Sequence, residues 1–167
     1  MHETADDLAT LQRLLDRSYA GAGAHLRTIV TPERRFGAGD LCALLTGVRV
    51  LNLATVTAAG HPRVGPVDGL FYRGQFYFGS SPQSVRLRHI RARPHVSASY
   101  TVGEELAVIV HGRAVAIDVY ADPPPPLRAY LIEVYPQWQA WWGAGGAAYA
   151  GIDAETMFAW DFRGIAT

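Results

Sequence analysis

The stretch LATVTAAGHPRVGPVDGLFYRGQFYFGSSPQSVRLRHIRARPHVSASY, residues 53–100, changes its periodicity at Ser80, and that change sets the fold. Before Ser80, β-branched and aromatic residues alternate with small or polar ones. Turn signals interrupt the run at AAGH (58–61) and at Arg73-Gly74. The pattern predicts strands over 48–57, 62–72 and 75–80, joined as an antiparallel meander. Gly65 and Pro66 interrupt the second strand. Proline has no N–H to give a central ladder, so the pair is expected at a bulge or an edge. After Ser80 the pattern turns helical: Ser81 suits an N-cap, Pro82 the first helical position, and Pro94 forbids continuation. A helix is predicted over 82–92.

Working outward, Thr4 and Asp7 have the spacing of a capping box, and Leu8, Leu11, Leu15 and Tyr19 recur at helical intervals. This predicts a helix over 5–19, ended by GAGAH (21–25). An irregular stretch runs through Pro32, Arg34 and Arg35 to a short helix opened at Asp40 and stopped at Gly47. Downstream, strands are expected over 95–101 and over 106–118, the second bent at Gly112. DPPPP (122–126) reads as a stiff link, 127–135 as a helix, GAGGAAYAG (143–151) as a flexible segment and MFAWDFRGI (157–165) as the last strand. The sum is a mainly β chain with flanking helices (α+β), with six strands forming a small antiparallel barrel. One domain over 1–167 is expected, with a helical extension (1–47), a barrel core (48–118) and a C-terminal helix and closing strand (119–167).

Composition narrows the function. The chain is 49% hydrophobic and 18% charged over 167 residues, which suits one globular core. No apolar run reaches the length of a membrane span. The start is acidic and amphipathic rather than basic and then greasy, which argues against a secretory signal. Cys42 is the sole cysteine, so no internal disulfide can form; a cytoplasmic protein is expected, with Cys42 as core filler. All fifteen basic residues are arginine, which fits a GC-rich gene and puts arginine where lysine often stands.

Local chemistry points to an anion. A helix N-terminus has unpartnered amides and partial positive charge, and Ser80, Ser81 and Ser84 add hydroxyls at that end. On the helix as drawn, Arg86, His89 and Arg93 share one face, and Ser84, Arg88 and Arg91 an adjoining one. Ser84 and Arg86 suit phosphate; Arg91 and Arg93 suit a solvated helix end. Nucleic acid is excluded by the zero net charge and the lack of any further basic stripe. His61, His89, His95 and His111 lack a metal-ligand spacing. Asp68 reads as a turn carboxylate or as a group near a substrate proton. Trp138, Trp141 and Trp142 suit core or dimer packing ahead of a substrate lid.

The ordered parts of residues 48–118 resemble the pyridoxamine 5'-phosphate oxidase-like split-barrel superfamily of flavin and deazaflavin oxidoreductases. These parts are the LATV hairpin, a second hairpin ending in a small polar residue, an S-x-R helix closed by Arg93-Pro94, and the GRA strand at 112–114. The resemblance implies a six-stranded split barrel, a homodimer, and FMN in a groove at the subunit interface. It implies that Ser84 and Arg86 hold the cofactor phosphate, with Arg86 in place of a lysine, and that Ser80 and Ser81 are the hydroxyl residues beside it. Arg63, Val64, Gly65, Pro66 and Val67 match the segment along the flavin ring, and Arg88 a commonly basic helix position. The expected activity is hydride transfer to or from a small organic substrate, with no catalytic side chain assigned. Residues that bind the substrate phosphate in true pyridoxamine phosphate oxidases are not recognisable. The alternatives are a deazaflavin coenzyme (F-420 type), whose acidic tail would call on Arg34, Arg35 and Arg88, a non-catalytic flavin or haem carrier using His89 or His111, and a structural dimer without cofactor.

Overall fold

The computed structural model describes residues 2–137 and 146–162. Its elements are α1 (Ala5–Ala20), α2 (Ala24–Ile29), α3 (Ala38–Leu44), β1 (Val48–Val56), β2 (Pro62–Tyr72), β3 (Gln75–Ser80), α4 (Val85–Ala92), β4 (His95–Val102), β5 (Leu106–Ile117), α5 (Pro126–Val134) and β6 (Ala148–Asp161). The strands close into an antiparallel barrel in the order β1-β2-β3-β6-β5-β4, as the alternation predicts. The Trp138–Trp142 run and the tail of the expected last strand (163–165) lie outside the described residues.

Alternation fills the barrel. Leu51, Leu53, Val67, Phe76, Phe78, Val96, Val108, Val110, Ile152 and Met157 point inward and are buried. The hairpin between β2 and β3 turns at Arg73 and Gly74, with φ of 52° and 78°, the left-handed geometry that the Arg-Gly pair announces. At Gly112 the β5–β6 register shifts, and a side chain there would run into the Asp153 carbonyl. The glycine is the expected bend.

Three expectations are corrected. The last strand begins at Ala148, inside the segment read as flexible. Rings pack over the glycines of the β3–β6 pair: Tyr77 lies opposite Gly151 of β6 and Tyr149 opposite Gly79 of β3, and a Cβ on either glycine would come to 3.0 Å from the facing ring. The arginine helix starts at Val85, and Ser84 rather than Ser81 is its N-cap. Pro82 lies in the preceding turn, where Ser84 N–H donates to the Ser81 carbonyl (2.9 Å). A short unexpected helix, α2, follows Gly23.

Two strands outrun their neighbours. β2 pairs with β3 only from Gly69 to Tyr72, so residues 62–68 have no strand on that side. β6 pairs with β3 only over Ala148–Gly151, although it pairs with β5 to Asp161. The chain ahead of the barrel seals the second edge. α1, fixed by the Thr4–Asp7 capping box, puts Ser18 Oγ 2.9 Å from the Met157 N–H. Tyr19 Oη donates to the Ala159 carbonyl (2.8 Å) and accepts its N–H (3.2 Å). Arg35 bridges Trp160 through its backbone. Cys42 is buried in α3, and burial, helped by the charges of Glu3 and Asp7, pushes its thiol up to about 12.

Replacing Tyr19 with phenylalanine strips two buried backbone groups of their partner. It is expected to cost roughly 1–3 kcal/mol in urea denaturation with the cooperative transition retained. An unchanged midpoint would show that the hydroxyl does not seal the β6 edge.

Candidate functional site

The other free edge is the candidate site. Val64, Pro66 and Asp68 share one parity on β2, and the N–H that Pro66 lacks would face away from β1, on the side where no strand needs it. Its carbonyl accepts a hydrogen bond from Arg86 Nη2 (3.1 Å), which joins α4 to the open edge. Gly65 permits this approach, since a Cβ there would lie 3.1 Å from the same nitrogen. Gly65 and Pro66 therefore stand at an edge, as their residue types require.

Around Arg86 the serines gather. Ser80, at the end of β3, donates from Oγ to Ser84 Oγ (3.0 Å) and accepts from Arg86 Nη1 (3.5 Å). Ser84 Oγ also accepts the Leu87 N–H (3.3 Å). The Ser84 hydroxyl thus accepts twice and has its own proton left to donate. The amides of Val85 and Arg86, in the first turn of α4, have no carbonyl one turn back to bond. A guanidinium with five N–H groups, a hydroxyl donor and a helix N-terminus converge here, a donor set that fits a phosphate. Ser81 is exposed on the rim. The structure brings Ser80, Ser84 and Arg86 together; Arg88 is exposed and lines neither adjoining groove.

Arg86 stands between two unlike grooves. One, of ≈ 410 Å³, is lined by Arg63, Val64, Gly65, Ser84, Val85, Arg86 and His89 over a floor of Leu53, Thr55 and Thr57; it holds cationic groups and no carboxylate. The other, of ≈ 540 Å³, runs past Val50, Pro66, Val67, Asp68, Leu70, Ser80 and Ser81 to Tyr135 and Tyr149. Thus all five residues from Arg63 to Val67 border one groove or the other. Sequence reasoning missed two features. Thr55 is only 3% exposed and lies 3.0 Å from His89 Nδ1; its signal was a polar residue on the inward parity of Leu51 and Leu53. Tyr135 reaches Asp68 Oδ2 at 3.5 Å from the end of α5, a contact no local pattern announces. Burial, with the Asp68 charge second, pushes the Tyr135 phenol well above its ordinary range. Asp68 lies within β2 rather than in a turn.

Arg34 and Arg35 are committed elsewhere. Arg34 donates to the Ile29 carbonyl (2.9 Å) and covers the Phe162 ring. Arg35 donates to the Val30 carbonyl (3.1 Å) and covers Tyr19. Both serve the packing over β6, and neither lines a groove at Arg86. His89 and His111 line different grooves. Among the described residues no three His, Cys, Asp or Glu side chains converge as a metal site, and no helix is long and apolar enough to cross a membrane.

A closed six-stranded antiparallel barrel with flanking helices defines a class of fold, and comparison with known proteins gives the family. A sequence profile for pyridoxamine 5'-phosphate oxidase matches residues 40–160, and the chain belongs to that family. No curated protein sequence matches it. Among solved structures it is similar to a conserved hypothetical protein of Mycobacterium tuberculosis (16% identity, TM-score 0.65, covering 81% of this chain and 92% of that one). It is also similar to a FAD-binding protein of Mesorhizobium loti (23%, 0.60, 77% and 96%) and to an F420 reductase (18%, 0.52, 69% and 93%). It spans 52% of the length of a further match, a protein of unknown function from Agrobacterium tumefaciens.

Proposed function

We propose that the protein is an oxidoreductase that binds FMN at the split edge and transfers a hydride between it and a small organic substrate. The observation that carries this reading is the cradle of Ser80, Ser84 and Arg86 at the start of α4, against the free edge of β2. Arg86 would take the phosphate in a forked, charge-assisted contact, and Ser84 would donate its spare proton. Edge groups of Val64 to Val67 are available to the ring. The flavin ring supplies the two-electron chemistry; the chain's part is to bind it, orient it and exclude water. A FAD-binding protein among the similar structures accords with a flavin ligand.

A deazaflavin coenzyme, with the same ribityl phosphate, is the second reading, favoured by Arg63. That side chain is exposed and lines the cationic groove, where it is free of the packing duties that hold Arg34 and Arg35. Assembly as a homodimer belongs to the same proposal. Val50, Val64 and Val85 border the two grooves and are 57%, 72% and 54% exposed, an apolar rim that a twofold partner would cover while closing the groove.

Arg86→Ala is expected to weaken FMN binding about 10- to 150-fold, the loss of one charge-assisted contact of roughly 1.5–3 kcal/mol, with the cooperative fold retained and little change in stability, since its bonds within the protein are partly exposed. Titration of wild type and variant, with Arg91→Ala as control, reads this; equal affinity would refute the cradle. Parallel titration with F-420 ranks the two cofactors. Sedimentation equilibrium with FMN present is expected to show a dimer at micromolar concentration, and a monomer would overturn the assembly.

A further inference from the structure

We propose that the groove of Tyr135 and Tyr149 is the substrate side of the site, and that it selects a flat apolar molecule carrying a protonated amine, with Asp68 as its counter-ion. This rests on the cofactor reading above, because charge divides the two grooves only once Arg86 is occupied. Arg86 and Asp68 are the charged side chains lining this groove. A phosphate, with a charge of about −1.5 to −2, more than offsets the Arg86 guanidinium, so the groove is then negative, and Asp68 is the side-chain carboxylate that lines it.

The walls fit the rest of the ligand. Val50, Leu70, Tyr135 and Tyr149 supply aliphatic and aromatic surface in a space of ≈ 540 Å³, ample for one or two rings. Asp68 lies on β2 opposite Val50 in register, and its side of the strand is exposed. The Tyr135 hydroxyl donates to Asp68 Oδ2, and since the phenol stays protonated throughout neutral pH it holds one carboxylate oxygen and orients the other. An anionic substrate would meet Asp68 with no free cation to offset it. Because the groove is open to water, screening keeps the selectivity modest.

The test uses three probes of like size: 2-phenylethylamine, 2-phenylethanol and 3-phenylpropanoate. Each is titrated into FMN-loaded protein by flavin fluorescence, and into FMN-free protein saturated with inorganic phosphate by ligand-observed NMR. The amine is expected to bind about tenfold more tightly than the carboxylate. Asp68→Asn is expected to erase that preference while FMN affinity stays within about twofold, and Tyr135→Phe, which keeps the charge, to retain it. Equal binding of amine and carboxylate, no binding of the amine, or a preference that survives Asp68→Asn would overturn the proposal. Failure of FMN to bind would instead strike the cofactor reading, and the measurement in FMN-free protein would still decide the role of Asp68.

Discussion

β2 is longer than its partner. It leaves β3 at Gly69 while still paired to β1 along its other side, so seven residues of strand need something other than a strand against them. α4 answers with one side chain, Arg86, bonded to the Pro66 carbonyl. The same guanidinium reaches the serine at the end of β3, which bonds the serine that caps α4, and it lines the grooves on both sides.

The contrast with β6 shows why, among the described residues, the β2 edge is the one proposed as the site. Both strands run past the end of β3, but the β6 edge is closed by Ser18, Tyr19 and the backbone of Arg35. The backbone groups of Met157 and Ala159 thereby have partners from α1. The β2 edge faces two grooves rimmed by exposed valines, where the proposed cofactor and partner chain would lie. Packing has therefore assigned the arginines by location: Arg34 and Arg35 cover rings over β6, while Arg63 and Arg86 face the open side.

Much of this was legible before the structure. Five strand spans follow from alternation and turn residues because each strand buries one face in the barrel, a condition local sequence records directly. Ser84 and Arg86 were legible as a hydroxyl and a guanidinium near a helix start and through the family's S-x-R spacing, although the sequence pattern puts the cap itself at Ser81. What escaped depended on distant partners. Pro82 satisfies a turn as readily as a helix start, and the choice of Ser84 as cap is made with Ser80 across the end of β3. Ala148–Gly151 lack β-branched residues, yet they form strand because the Tyr77 ring packs over Gly151. Arg34 and Arg35 looked available as cations because nothing nearby in sequence shows the rings they cover.

Among all observables, backbone amide shifts during titration of FMN into isotopically labelled protein test the central claim most directly. The account predicts that the largest changes fall at Val64, Ser80, Ser84, Val85 and Arg86, with the amides of α1 and of Arg34 and Arg35 unmoved. Changes concentrated around Arg13, Arg17 and Arg73, which line a separate polar cavity between α1 and the β2–β3 turn, would contradict it, as would saturation of the protein without any shift along the free edge of β2.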